Sequence, residues 1–259
     1  EVPGTTRDSV DVRFESEGKT YLAIDTAGVR KKKSLQDDLE FYSLSRAERS
    51  IRRADVVLLF FDASEPISKV DKQLCEYIGN QHTTAVFVAN KRDLVKPKKT
   101  SEYAEYMRYT FPSLKHIPIA FITAKSGKNV QQLLNLAQKL HKQAGMRVGT
   151  GDLNRVLRAA VDANQPPMRM NRRARIYYAT QASTNPPTLV LFTNGPELFD
   201  PPYIKYLENV FRAQLPFSEV AIKVELRKRD RAISIENEGG PKRKPAAKAR
   251  EVAPETWEV

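Results

Sequence analysis

Ala85-Val86-Phe87-Val88-Ala89-Asn90-Lys91-Arg92-Asp93 decides how this chain is read. Five apolar residues without interruption are what a parallel strand covered on both faces needs. The tetrapeptide that closes them supplies an amide and a carboxylate that can read a guanine edge. The Asp93 carboxylate can accept from guanine N1–H and from its exocyclic amine, a donor pair that adenine lacks. Charge-assisted bonds of this kind are the strong ones. The Lys91 stem can pack along the base plane. Arg92 is the variable position of the pattern. Asp25-Thr26-Ala27-Gly28 begins 65 positions earlier, after the apolar Tyr21 to Ile24. In open α/β sheets ligands bind at the carboxyl ends of strands, which is where both motifs stand. Asp25 would hold Mg²⁺ through a water, and the Gly28 N–H would sense a terminal phosphate. Together the two motifs read as a guanine-nucleotide site.

Two further motifs keep the same order. Thr123-Ala124-Lys125-Ser126-Gly127 follows the next apolar segment, 33 residues after Asn90, and a tight turn there would bring the Ala124 N–H to the base carbonyl. Pro3-Gly4-Thr5-Thr6-Arg7-Asp8 precedes the first strand. A threonine in such a loop can place its hydroxyl on Mg²⁺ when the γ-phosphate is present, and Thr5 and Thr6 both qualify. No G-x-x-x-x-G-K-[ST] occurs in the chain. Gly18-Lys19-Thr20 is a decoy, because Arg13 stands where the first glycine would be. The sequence also opens on Glu1. We therefore expect the back part of a longer GTPase, cut just after its phosphate loop.

Periodicity gives the architecture. Val10 to Phe14 alternates, Glu17-Gly18-Lys19 suits a hairpin turn, and Tyr21 to Ile24 returns. Val56 to Phe61 and Ile119 to Ile122 repeat the buried-strand pattern. Helices are expected at 38–54, 68–81, 100–111 and 129–144. Strand and helix alternate, so the first part is α/β with a mostly parallel sheet. After Met146 the order changes to a helix at 152–164 capped by Asp152 or Thr150, strands at 175–180 and 188–193, a helix at 201–215 and a strand at 220–226. That is a compact α+β unit with the order α-β-β-α-β. From Glu236 onward the Lys/Arg/Pro/Ala-rich sequence is expected to be disordered. The expected divisions are 1–145, 146–235 and 236–259.

Composition narrows the classes. The net charge is +12 over 259 residues, which favours a polyanion partner. Residues 1–146 carry 24 basic and 18 acidic side chains, residues 147–235 carry 14 and 8, and the tail carries 5 and 5, so the second part is the denser in excess charge. No apolar run approaches the length of a transmembrane helix. Cys75 is alone, so it has no partner for an internal disulfide, and an intracellular protein fits. His82, His116 and His141 lack metal-ligand spacing. Arg169, Arg172, Arg173 and Arg175 cluster before the first strand of the second part and are candidate RNA contacts, with a solvated loop as the bland alternative. Lys242-Arg243-Lys244, Lys248 and Arg250 could hold rRNA without sequence preference or simply solvate the tail.

The ordered set Pro3 to Asp8, Asp25 to Gly28 with basic Arg30 to Lys33, Ala54-Asp55-Val56-Val57, Asn90 to Asp93 and Thr123 to Gly127 resembles the translation-factor-like GTPases, and within them most closely the Der (EngA) family. That family has two tandem G domains and a C-terminal KH-like domain. The resemblance covers about residues 1–235. It implies an incomplete P-loop NTPase-type G domain, the second of the two, without its first strand, phosphate loop and first helix, followed by the KH-like domain. It implies hydrolysis of GTP to GDP and phosphate, and a role in building the large (50S) ribosomal subunit through rRNA and ribosomal proteins. With it go GTP or GDP, Mg²⁺ held through Asp25 and Thr5 or Thr6, and a potassium ion near the switch loop. Thr5, Thr6 and Gly28 would serve catalysis. Asp25 to Val29, Asn90 to Asp93 and Thr123 to Lys125 would bind nucleotide. A cytoplasmic monomer with neither DNA nor membrane as partner is expected.

Two departures matter. Val29 stands where Ras-like proteins place the glutamine that orients the attacking water, so hydrolysis would rely on backbone groups, ions or other side chains. Residues 147–235 contain no G-x-x-G, the loop that clamps RNA backbone in KH domains, and Asn194-Gly195-Pro196 is the nearest glycine turn. One rival is a tRNA-modifying GTPase, which shares the Thr-Thr-Arg-Asp loop but sets its G domain inside a helical domain. The other is an RNA-binding module with a nucleotide-free G domain.

Overall fold

The computed structural model describes residues 11–24, 37–94 and 98–229. Their order is β1 (Asp11–Ser16), β2 (Lys19–Ile24), α1 (Asp37–Arg53), β3 (Val57–Asp62), α2 (Lys69–Asn80), β4 (Ala85–Asn90), α3 (Lys98–Thr110), β5 (Ile119–Phe121) and α4 (Val130–Ala144). A second half follows as α5 (Thr150–Ala163), β6 (Met168–Arg169), β7 (Arg172–Arg173), β8 (Ile176–Ser183), β9 (Thr188–Thr193), α6 (Pro201–Gln214) and β10 (Lys223–Lys228).

β4 lies between β3 and β5 in an all-parallel sheet. Its residues alternate between two cores, as a pleated strand requires. Ala85 and Phe87 face Leu74 and Ile78 of α2 and Met107 of α3, and Phe87 meets Phe61 edge-on at 5.5 Å between ring centroids. Val86 and Val88 face the opposite way, toward Leu133 and Leu140 of α4. The β1–β2 hairpin forms a separate sheet, turning through Glu17 (φ 50°) and Gly18 (φ 71°). Two consecutive left-handed residues make the turn whose twist matches a hairpin, and Gly18 fills one of them without strain. Among the described residues β3 therefore has one hydrogen-bonded neighbour, and Phe60 on it is 51% exposed.

Helix α2 starts on a reciprocal cap. Ser68 Oγ accepts from Asp71 N at 3.2 Å, and Asp71 Oδ2 accepts from Ser68 N at 2.8 Å. α6 starts on Asp200, whose Oδ1 accepts from Tyr203 N at 3.0 Å, with Pro201 in the first turn where its missing N–H is not needed. α5 departs from expectation. It begins at Thr150 behind Gly149, with no side-chain cap from Thr150 or Asp152. Asn154 instead ties the helix to the sheet: its Oδ1 accepts from Ala179 N and its Nδ2 donates to Ala179 O, both at 2.8 Å.

The second sheet has the order β10-β9-β8, with β9 and β10 parallel and β8 and β9 antiparallel. β10 begins later than its alternation suggests. Its ladder opens with Lys223 opposite Thr188, because Pro186-Pro187 precede β9 and offer no N–H groups. Val220 and Ile222 are buried on the approach to the strand. The arginine cluster is not a plain loop. β6 and β7 pair as a two-stranded ribbon around Met170 (φ 51°) and Asn171 (φ 53°).

A core closed off within the second half is the simple expectation from its element order, but the packing is continuous. Leu140 and Ala144 of α4 share one apolar cluster with Leu153 of α5 and Phe217, so α4 serves both halves. Polar ties reinforce the seam. Val148 N donates to Gln181 Oε1 at 2.8 Å, Asn185 N donates to Ala144 O at 3.2 Å, and Lys139 pairs with Glu219. On its other side α4 receives the first hairpin, where Ser16 Oγ donates to Gln131 Oε1 at 3.1 Å.

Leu140→Ala removes a fully buried side chain from this shared cluster. It should cost about 2–5 kcal/mol and weaken both halves together. Urea melts followed at Trp or Tyr signals placed in each half would then move in step; a shift confined to one half would contradict the shared core. A second expectation concerns acid. Burial, with Arg212 and Lys205 nearby, lowers the His116 pKa to about 3. Below the ordinary imidazole value of about 6.5 the unfolded chain binds a proton that the native chain does not. Stability should therefore be intact above that pH. It should fall by up to about 1.4 kcal/mol per pH unit as the pH drops toward 3. His116→Gln should flatten that slope, and an unchanged slope in pH-dependent denaturation would refute the assignment.

Candidate nucleotide-binding site

The carboxyl ends of β3, β4 and β5 meet at Asp62, Asn90 and Phe121, and the loops that leave them are tied together. Asn90 is the tie. Its Oδ1 accepts from Lys91 N at 2.8 Å and from Ala124 N at 3.0 Å, so the Asn90–Asp93 and Thr123–Gly127 segments are held in contact by one side chain. Arg92 N donates to Ile122 O at 3.2 Å, and Ile122 N donates to Ala89 O at 3.0 Å, which extends the join along the backbone. Lys91 adopts φ 60°, a left-handed conformation uncommon for a side chain of this size. The surrounding bonds hold it there.

Asp62 is the residue that pattern reading passed over. It closes β3 directly opposite Asn90 in the ladder, and its carboxylate pairs with Lys91 Nζ. Its Oδ1 also accepts from Ser64 Oγ at 2.6 Å and Ser64 N at 3.0 Å. Burial pulls the Asp62 pKa up, but the hydrogen bonds from Lys91 and Ser64 outweigh it and hold the carboxyl below its ordinary value. Lys91 is thus positioned by an acid on the neighbouring strand. The signal was in the sequence: a polar residue with a side-chain carbonyl or carboxylate ending an apolar run, as Asp25 and Asn90 do.

The second loop is a tight turn. Ser126 N donates to Thr123 O at 3.2 Å and Gly127 N to Ala124 O at 3.2 Å, with Gly127 at φ 73°. Thr123 is buried and bridges to Lys128, while Ala124 and Lys125 are exposed. Asn129 Nδ2 donates to Phe121 O at 2.9 Å and anchors the start of α4. The Ala124 N–H is directed at Asn90 Oδ1, so a guanine carbonyl would share that donor. Asp93 stands exposed in a short 3₁₀ turn, and among the described residues its carboxylate has no hydrogen-bond or ion-pair partner. That is the chemistry a guanine N1–H and amine pair demands: an acceptor-only group on a fixed loop and not committed elsewhere.

The structure therefore joins Asn90, Lys91, Arg92 and Asp93 to Thr123, Ala124 and Lys125. Thr5, Thr6, Asp25, Thr26, Ala27, Gly28 and Val29 lie outside the described residues. Among the described residues no group of three or more His, Cys, Asp or Glu is arranged to hold a metal ion, and no helix is long and apolar enough to cross a membrane.

The four arginines stand apart from this site. Arg169, Arg172, Arg173 and Arg175 are all exposed on or beside the β6–β7 ribbon, with Met168 and Met170 exposed among them. Asn194 braces the ribbon base: Nδ2 donates to Arg173 O at 2.9 Å, and Oδ1 accepts from Arg175 N at 2.8 Å. The Arg229 guanidinium lies 5.1 Å from the centre of the Tyr177 ring.

Asn90→Ala would leave two amides without their acceptor, at a cost of about 1–3 kcal/mol. Hydrogen exchange at the Ala124 amide should then quicken roughly ten- to a hundredfold. Unchanged protection at Ala124 would show that the loops are joined by something else.

Comparison with known proteins agrees with this layout. Residues 1–91 match the family described as "50S ribosome-binding GTPase". Residues 147–227 match "KH-domain-like of EngA bacterial GTPase enzymes, C-terminal". The GTPase Der of Rhodopirellula baltica is 53% identical over 233 residues, which is 90% of this chain and 51% of that protein. GTPase Der of Geobacter metallireducens is 41% identical over 231 residues, 88% of this chain and 53% of that protein. GTPase Der of Solidesulfovibrio magneticus is 38% identical over 224 residues, 86% and 50% respectively. The chain spans about half the length of the curated relatives it matches. Its fold is that of a P-loop GTPase G domain with a parallel sheet, followed by a KH-like domain.

Proposed function

The chain belongs to the Der (EngA) GTPase family, and on that premise we propose that it carries the base-reading part of a GTP site and the ribosome-facing part of a cytoplasmic factor that assembles the large ribosomal subunit. We divide it into a G-domain portion at 1–145, a KH-like domain at 146–235 and a tail at 236–259. The observation that carries the reading is Asn90, which holds the Asp93 loop and the Ala124 turn together at the carboxyl ends of β4 and β5. In this reading Asp93 selects guanine, Asn90 fixes the loop that presents it, and Lys91, steered by Asp62, lies along the base. Mg²⁺ would be held through Asp25 with Thr5 or Thr6, and a bound Mg²⁺ would neutralise developing phosphate charge. α4 connects the two functions. It leaves the Thr123–Gly127 turn and, about 22 Å on, its far end packs into the second half. We propose that a change at the nucleotide reaches the KH-like domain along this helix.

For the second half, support comes from the exposed arginine ribbon, braced at its base by Asn194 and lacking a G-x-x-G loop nearby. We propose that it meets rRNA backbone by charge and shape.

Two experiments test these assignments. In a protein that joins this segment to a phosphate loop, Asp93→Asn should weaken GTP binding by about 3 kcal/mol or more, on the order of a hundredfold. Xanthosine triphosphate should gain in its place, because an asparagine amide donates where guanine also donates and xanthine carries a carbonyl. Equal affinities for the two nucleotides before and after substitution would refute the role of Asp93, and a protein that binds neither would favour a nucleotide-free RNA module. Separately, binding to large-subunit rRNA should fall as salt rises. Reversing Arg172, Arg173 and Arg175 to Glu should weaken it roughly tenfold or more. Salt-independent binding would point to a ribosomal protein instead.

A further inference from the structure

The second sheet carries aromatic and cationic side chains on the face turned away from α5 and α6. Strand register assigns the faces. Ala179, Leu191 and Leu226 align across β8, β9 and β10 and pack into the apolar cluster shared with α5 and α6. Tyr178, Phe192 and Arg227 align in the next row, so they project from the opposite face. Tyr178 and Phe192 are half-buried and belong to neither apolar cluster. The register shifts between Ile176 and Tyr178, which makes Tyr177 the extra residue of a bulge. A bulge re-aims the side chains it carries, and Tyr177 is 46% exposed.

Two arrangements hold flat rings in place. The Tyr178 ring stacks on Phe192, with centroids 4.4 Å apart and planes 16° apart. Among the described residues β8 is an edge strand, so no further strand flanks Tyr178 on its outer side. The Arg229 guanidinium lies 5.1 Å from the centre of the Tyr177 ring. Arg229 N donates to Thr193 O at 2.9 Å, and Thr193 pairs with Ile176 beside the bulge, so that arginine is anchored next to the ring it covers. Cations outnumber acids here. Glu225 is shared by Lys223 and Arg227, each at 2.9 Å, and that trio keeps a net positive charge. Arg172 has Glu197 at 3.8 Å, while Arg173 and Arg175 stand exposed where the ribbon runs into β8. Rings alone would suit an apolar peptide, and cations alone would suit any polyanion. The two interleaved on one open sheet suit a ligand that alternates planar rings with anionic links, which is an unpaired nucleic-acid strand. A duplex keeps its base faces stacked inside, and its deep, narrow major groove does not admit a sheet. It would meet the charges only.

We propose that this face stacks unpaired RNA bases, one on Tyr177 and one on the outer side of Tyr178, while Arg227, Arg229 and the ribbon arginines take the phosphates. The inference rests on the reading that the second half meets rRNA, and it adds what is selected there: single-stranded segments over paired ones. It also places base contact on the sheet of a unit whose sequence carries no G-x-x-G loop.

Fluorescence anisotropy of three labelled RNAs with the purified 259-residue chain tests it. The probes are an oligouridylate of about twelve nucleotides, an abasic strand with the same backbone, and an RNA duplex of the same length. At one salt concentration the oligouridylate should bind roughly tenfold or more tightly than either of the others. Tyr177→Leu combined with Tyr178→Leu should weaken oligouridylate binding roughly tenfold or more. The same change should leave the other two probes and the salt slope unaltered, because it removes no charge. Should the double variant fail to fold, Tyr177→Leu alone, at an exposed position, should show part of the same loss. Equal binding of the strands with and without bases, duplex binding as tight as the oligouridylate's, or wild-type affinity in whichever variant folds, would overturn the stacking proposal and leave the charge-based rRNA reading standing. No salt-dependent binding of any probe would overturn both and point to a protein partner.

Discussion

Everything described above hangs on the double burial of β4. A parallel strand between two others can expose neither face, so both of its side-chain sets must find a core. Phe87 finds one with α2 and α3, while Val86 and Val88 find another with α4. The strand's last residue, Asn90, then ends a backbone that is hydrogen-bonded to a strand on each side. A side chain that must hold two loops in register gains from that footing, because its own position costs little further ordering.

The second consequence runs through α4. Its hydrophobic face is shared between the sheet of the first half and the helices of the second, so it belongs to neither alone. A link of this kind differs from a flexible linker. Rotating one half against the other would expose Leu140 and Ala144 and break the bonds from Val148 and Asn185. At roughly 25 cal/mol per Å² of apolar surface, even modest exposure there is costly. The two halves are therefore best regarded as one mechanical unit, with α4 fixed at its start by Asn129 and packed at its end against the second half.

The parts of the fold legible in the sequence share a physical reason. β3, β4, β5 and β9 appear as uninterrupted apolar runs, and α2, α4 and α6 as apolar stripes at helical spacing, because burial selects those patterns directly. What escaped reading depends on contacts between distant residues. The β6–β7 ribbon turns on Met170-Asn171, which carries no glycine to announce a hairpin, and its strands are only two residues long. The start of β10 is set by Pro186-Pro187, more than thirty residues upstream. At the site, Asn90, Asp93 and the Thr123 turn were legible as motifs in order. That Asn90 Oδ1 would take the Ala124 amide, and that Asp62 would hold Lys91, follows only from strand register. Periodicity alone does not supply that register.

The parallel sheet also separates tasks by direction. All three of its strands point the same way, so every loop at one end leaves a strand and every loop at the other end enters one. The leaving loops after β3, β4 and β5 converge on Asn90 and form the surface proposed to read the base. The entering segments before β4 and β5 carry His82 and His116 and face α6 of the second half. The polar groups of the two ends therefore do not compete for partners. The buried strand β4 and the buried stripe of α4, Leu133, Leu140 and Ala144, lie between them. An antiparallel sheet would mix entering and leaving loops at each end, and the base-reading surface would then lie beside the seam with the second half.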